Sequence, residues 1–230
     1  MLEDLKEQVC RANRELERCR LVTLTFGNVS GFDRAKGMMA IKPSGVGYAA
    51  LKRHDIVLVD LDGARAEGRL QPSTDAPTHL ALYRAFAGIG GVTHTHSPCA
   101  TMFAQAGRGI PCLGTTHADH FNGEVPVTRA LTRKEVAGKY EENTGRAIVE
   151  RFKKINPNEM PAALVAHHGP FTWGRTAAES LTNSVALELV AQTALGTLQL
   201  NGAAGPIPEF LLAKHFLRKH GPDAYYGQKS

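Results

Sequence analysis

A chain of 230 residues that is 43% hydrophobic can bury a substantial core, and it reads as one domain over residues 1–230 rather than two small ones. The formal charge of +5 is mild, no basic run stands out and only 7% of residues are aromatic, which argues against a nucleic-acid surface. No stretch reaches membrane-spanning length, the acidic Met1–Lys6 segment lacks an apolar signal core, and Cys10, Cys19, Cys99 and Cys112 form no C-x-x-C pair, so a reduced, cytoplasmic setting is expected.

Leu2, Leu5, Val9, Ala12 and Leu16 recur at helical spacing and predict an amphipathic helix over residues 2–18. Val22–Phe26 alternates and reads as a strand broken at Gly27. Met38–Ile41 and Ile56–Leu61 read as strands, the second turned by Asp62-Gly63 into a hairpin with 64–67. Thr74 or Asp75 can cap the next helix, with Pro77 in its first turn and Leu80, Tyr83 and Phe86 on its apolar face. A strand over 91–97 follows, then a short helix from Pro98 to Ala106 and a short strand at 125–127. A helix over 132–153 is closed by Asn156-Pro157. Ala162–Val165 is a buried strand ending in His167-His168-Gly169-Pro170, and two more helices are predicted over 176–200 and 208–219. Hairpins interrupt strict strand–helix alternation, so the expected fold is α/β, with a central, mostly antiparallel sheet covered by helices.

His94-Thr95-His96 is the focus of the chemistry. On a strand, residues two apart face the same way, so two imidazoles side by side form half of a site for a borderline divalent metal such as zinc. One imidazole pair is as readily explained by ordinary hydrogen bonding, and a metal needs further ligands. His167 or His168, at a Gly-Pro turn, can supply a third imidazole, and Asp75 a carboxylate. Locally, Asp75 is better read as a helix N-cap. Lys42-Pro43-Ser44-Gly45 offers an ammonium, a hydroxyl and turn amides, Ser73-Thr74 offers two hydroxyls at a helix start, and Asn28 adds an amide; together they suit a phosphate.

These stretches, with Gly114-Thr115-Thr116-His117-Ala118-Asp119, Lys214–Gly221 and Ala224–Gln228, resemble the class II aldolase/epimerase family over essentially the whole chain. The motif order and the tail are more similar to its epimerase than to its aldolase members. The resemblance implies a homotetramer with sites between subunits and one zinc-type divalent ion per subunit, with manganese or cobalt as alternatives. It assigns Asp75, His94, His96 and His168 as metal ligands, and Asn28, Ser44, Gly45, Ser73 and Thr74, with Lys42 nearby, as the phosphate pocket. Asp119 and, from a neighbouring subunit, Tyr226 match the acid/base pair; Thr115, Glu141, His215 and Arg218 match further polar positions. His120 stands where the family carries an aromatic residue.

The implied reaction is inversion at C4 of a phosphorylated ketopentose. That C–H is not acidified by a carbonyl, so the neighbouring C–C bond is broken by retro-aldol cleavage and remade on the other face. An aldolase that releases the fragments shares the same sites. A non-catalytic metal or sugar-phosphate module would leave Asp119 a capping residue and Tyr226 a tail aromatic.

Overall fold

The computed structural model describes residues 2–226, so Met1, and Gly227 and Gln228 of the tail motif, lie outside the described residues. Along the chain the elements are α1 (Glu3–Arg18), β1 (Asn28–Asp33), β2 (Met38–Ile41), β3 (Val57–Asp60), β4 (Arg65–Glu67), α2 (Ala76–Ala85), β5 (Gly91–His94) and α3 (Pro98–Gln105). They continue with α4 (Thr115–Ala118), α5 (Arg133–Ala137), α6 (Tyr140–Arg151), β6 (Ala162–Leu164), β7 (Pro170–Gly174), α7 (Ala177–Leu200) and α8 (Glu209–His220). The strands form one sheet in the order β4-β3-β2-β1-β5-β7-β6, and every pairing is antiparallel.

The alternation of strand side chains divides the core in two. Val29, Ala40 and Leu58 join Val9 and Leu16 of α1 and Leu181 of α7. Met39, Ile41, Val57 and Val59 face the other way, into a larger cluster with Leu80 and Tyr83 of α2, Ile148 of α6 and Phe171 and Trp173 of β7. Phe32 stacks on Tyr83 with ring centroids 4.8 Å apart, fixing α2 against β1.

Three expectations are corrected. Val22–Phe26 is not a strand: Leu24 takes a left-handed φ of 55° and the Phe26 N–H bonds Thr23 O, so the segment is a turn and β1 starts at Asn28. The two pairing positions beside β1 belong to β2 and β5, and they select the stretch whose register meets them rather than the one with the best alternation. The helix over 132–153 is two. Thr132 and Glu135 form a capping box for α5, which stops at Gly138, and α6 begins afresh at Tyr140. Residues 125–127 make only isolated bridges, Val125 to Ile110 and Val127 to Leu164. Beyond these, β7, a strand with no counterpart among the predicted elements, follows the His167-His168 turn and closes a hairpin with β6.

Candidate active site

β1 and β5 pair so that Asn28 sits opposite His94. β5 stops at His94, yet His96 still turns the same way, with the two Nε2 atoms 3.1 Å apart. Gly27 makes this approach possible: its φ is 84°, and a Cβ there would lie 2.7 Å from the His94 carbonyl oxygen. Tyr48 holds the turn from below, its hydroxyl 2.6 Å from Phe26 O and 2.7 Å from Gly27 O.

The third imidazole comes from the β6–β7 turn. His167 has a left-handed φ of 61° and is exposed, whereas His168 faces His94 and His96. Ligand atoms of His94, His96 and His168 all lie within 4.8 Å of one another. The His94 Nδ1–H donates to Pro170 O at 2.9 Å, which leaves Nε2 as the lone-pair nitrogen, and Phe171 stacks on the ring at 4.2 Å. Such an outer bond is how metal-binding imidazoles are oriented. Burial pushes the His168 ring down to about 3, with His94 and His96 adding to the effect. His168 is therefore uncharged at neutral pH and presents a lone pair, and burial lowers the His96 ring as well.

Asp75 precedes α2 but does not cap it with its side chain. Instead its Oδ2 accepts from Asn28 Nδ2 at 2.7 Å and from Ser73 Oγ at 3.4 Å. Burial would raise this carboxyl; the imidazoles of His94 and His79 and the Asn28 bond outweigh it and hold Asp75 below the usual carboxylate range. Three imidazoles whose ligand atoms cluster this closely suit a zinc-type centre, and Asp75 lines the same cavity as a carboxylate donor, so these residues fit a divalent metal.

The two candidate phosphate loops are sewn together by backbone bonds. Ser44 N donates to Gln71 O and Ser73 N to Lys42 O, each at 3.0 Å. Asn28 links them to Asp75, donating to Ser73 Oγ at 3.0 Å, while its own Oδ1 is buried without a partner among the described residues. Lys42 is only 2% exposed, its ammonium 4.9 Å from the Tyr48 ring centroid, and burial pushes its pKa down to about 8. One cavity of about 330 Å³ gathers Asn28, Lys42, Ser44, Gly45, Ser73, Thr74, Asp75, Glu141 and the three histidines.

Tyr140 also lines this cavity, its hydroxyl 3.5 Å from His168 Nδ1, and it was missed by sequence reasoning. The signal was Gly138: a break there starts α6 at Tyr140. Thr78 Oγ1, donating to Glu141 O at 2.6 Å, then ties that first turn to α2.

None of Thr115, Asp119, His215, Arg218 and Tyr226 lines the histidine cavity. Asp119 follows α4 and is gripped by α8: Arg218 donates to its two oxygens at 2.9 and 2.6 Å, and His215 Nδ1 lies 3.1 Å away. Burial would raise this carboxyl too, but the Arg218 and His215 bonds and nearby Lys219 prevail and hold it low. The Tyr226 ring lies under the Arg218 guanidinium at 4.7 Å and the Lys219 ammonium at 4.6 Å. Asp119 and Tyr226 thus belong to one cluster of the same chain. Thr115 opens α4 and lines a separate cavity against α7.

Residues 7–195 match the family model described as class II aldolase and adducin N-terminal domain. The chain belongs to the class II aldolase family. Curated relatives include proteins named L-ribulose-5-phosphate 4-epimerase UlaF from Salmonella paratyphi B and Salmonella typhi. Each is 52% identical over 228 residues, covering 99% of this chain and 100% of the relative. Among solved structures, an L-fuculose 1-phosphate aldolase superposes with a TM-score of 0.78 at 26% identity, covering 92% of this chain and 94% of that one. A second, L-fuculose-1-phosphate aldolase from Thermus thermophilus, gives 0.68 at 25% identity, covering 89% and 98%. The family's antiparallel sheet and helical layers are those described above.

Proposed function

We propose that this class II aldolase-family chain interconverts L-ribulose 5-phosphate and D-xylulose 5-phosphate by cleaving and remaking the C3–C4 bond. The observation that carries the proposal is the shared cavity: three histidines and Asp75 lie within one small space beside the clasped 42–45 and 72–75 loops. A ketose phosphate spans such a space with its carbonyl end at the histidines and its phosphate at the loops. The full-length identity to proteins named for this epimerisation supports the same substrate.

Asp75, His94, His96 and His168 hold the cation, which we take to be zinc, with manganese or cobalt able to occupy the same donors. A divalent ion there supplies Lewis acidity to the ketone end of the sugar. Asn28, Ser44, Gly45, Ser73, Thr74 and Lys42 keep the phosphate in place while the two-carbon aldehyde turns over, so the fragment re-adds before it escapes. A base removes the C4 hydroxyl proton as the bond breaks, and an acid returns one after the aldehyde has presented its other face. Asp119, held ionised by Arg218 and His215, and Tyr226 divide that work. Because they form a cluster outside the cavity, we assign both to a neighbouring copy in a homotetramer, along with His215 and Arg218. The setting is cytoplasmic, and among the described residues no helix is long and apolar enough to cross a membrane.

Incubation of metal-replete protein with L-ribulose 5-phosphate tests the proposal. D-xylulose 5-phosphate should form without accumulation of glycolaldehyde phosphate. Stoichiometric release of that fragment would make the chain an aldolase, and retention of substrate without turnover would make it a binding module.

A further inference from the structure

His79, on α2 one turn after Asp75, is fully buried, and the proposed mechanism does not use it. It ends a chain of buried hydroxyls. Tyr83 OH and Ser30 Oγ are 2.7 Å apart, and Ser30 Oγ and His79 Nδ1 are 2.7 Å apart. One arrangement of protons gives both hydroxyls an acceptor. Among the described residues the Tyr83 proton has no acceptor but Ser30. Ser30 then has its proton left for His79, so Nδ1 accepts. The single proton of the neutral ring must sit on Nε2.

That Nε2–H is a buried donor with no hydrogen-bond partner among the described residues. An unsatisfied buried donor is costly, so a native structure gives it an acceptor, often an ordered water. The groups acting electrostatically on His79 are Asp75 and His94. His94 offers it nothing: its Nδ1 is committed to Pro170 and its ring face to Phe171, whose edge meets His79 at 6.0 Å. Asp75 does. Asn28 and Ser73 both bind Oδ2, which leaves Oδ1 without a protein hydrogen bond among the described residues.

We propose that His79 is a positioning residue for Asp75: its Nε2–H, set by the Tyr83–Ser30 chain, fixes Asp75 Oδ1 through one buried water and aims the carboxylate at the histidine triad. The inference rests on the metal site proposed above. Its purpose follows from ligand chemistry, since a carboxylate held at one oxygen alone pivots, and outer hydrogen bonds to metal-binding groups tune affinity.

The test is metal affinity, measured by chelator competition with zinc and by the visible spectrum of the cobalt-loaded protein. In H79Q the side-chain amide N–H lies near the former Nε2, whereas in H79N it reaches only to the former Nδ1. H79N and H79L should therefore weaken zinc binding about 10- to 100-fold and alter the cobalt spectrum, while H79Q retains both near wild type. S30A, which frees the ring to adopt either tautomer, should fall between. Wild-type affinity and spectrum in folded H79N and H79L would overturn the proposal, as would equal loss in H79Q and H79N. Should the His79 variants fail to fold, S30A decides, and unchanged affinity there overturns it. H94N is the control: if it keeps its metal, the metal site itself is wrong. If it loses the metal while the His79 variants bind normally, only the positioning role fails.

Discussion

His94 has both nitrogens assigned by its surroundings. Nδ1–H goes to Pro170 O, and Nε2 faces His96 across 3.1 Å, closer than two neutral imidazoles gain from unless a proton or a cation lies between them. Replacing His94 or His96 with Asn should remove most bound metal and nearly all turnover, read by elemental analysis and a coupled assay; full occupancy with normal turnover would exclude the site. Lys42 makes a second prediction, from pH. Its buried ammonium has a pKa near 8, down from 10.5, so it is charged below about 8 and neutral above. The profile of kcat/KM for the sugar phosphate should fall above about pH 8, and Lys42→Met should raise KM and remove that limb. The burial cost of the charge is present below about 8 and relieved as the folded ammonium deprotonates, so the ligand-free protein should gain stability as pH rises from about 8 towards 10.5. Phosphate, by stabilising the ammonium, should reduce that gain.

At the scale of elements, the cavity exists because α1 holds β1 in place. Asn13 is fully buried; it accepts the Val29 N–H at 2.8 Å and donates to Val29 O at 2.9 Å and Val9 O at 2.8 Å. Its amide thus pairs the β1 residue adjacent to Asn28. Asn13→Ala leaves two strand groups unsatisfied and should cost roughly 2–4 kcal/mol in urea unfolding. A loss below about 0.5 kcal/mol would mean that water replaces the amide. The break between α5 and α6 matters in the same way. Periodicity carried the helix through Gly138, because apolar spacing alone does not register where a helix must stop to point Tyr140 and Glu141 into a cavity.

At the scale of the whole molecule, the histidine cavity and the Asp119–Tyr226 cluster are separate features of one chain. If each copy lends its cluster to a neighbour's cavity, lesions combine in a defined way. Mixed tetramers of His96→Asn and Asp119→Asn chains should regain activity, since an intact cavity meets an intact cluster wherever the second variant receives from the first. Mixtures of Asp119→Asn with Tyr226→Phe should not, because every lent cluster carries one lesion. Recovery in the second mixture, with assembly confirmed by mass, would place the two residues in different sites.

What the sequence by itself determined was local. Helical periodicity, the Asp62-Gly63 hairpin, the His94/His96 pair and the turn chemistry of 42–45 and 72–75 depend on neighbours within a few residues. The family motifs added the remaining candidates. Tertiary structure alone decided the partners. Asp75 turned from a cap into Asn28's acceptor, Tyr140 entered the cavity, and Asp119 was claimed by α8, while His168 joined the triad as the family motif implied. Each of these outcomes is a contact between groups dozens of residues apart. Such contacts are set by strand register and helix docking, which local propensity does not encode.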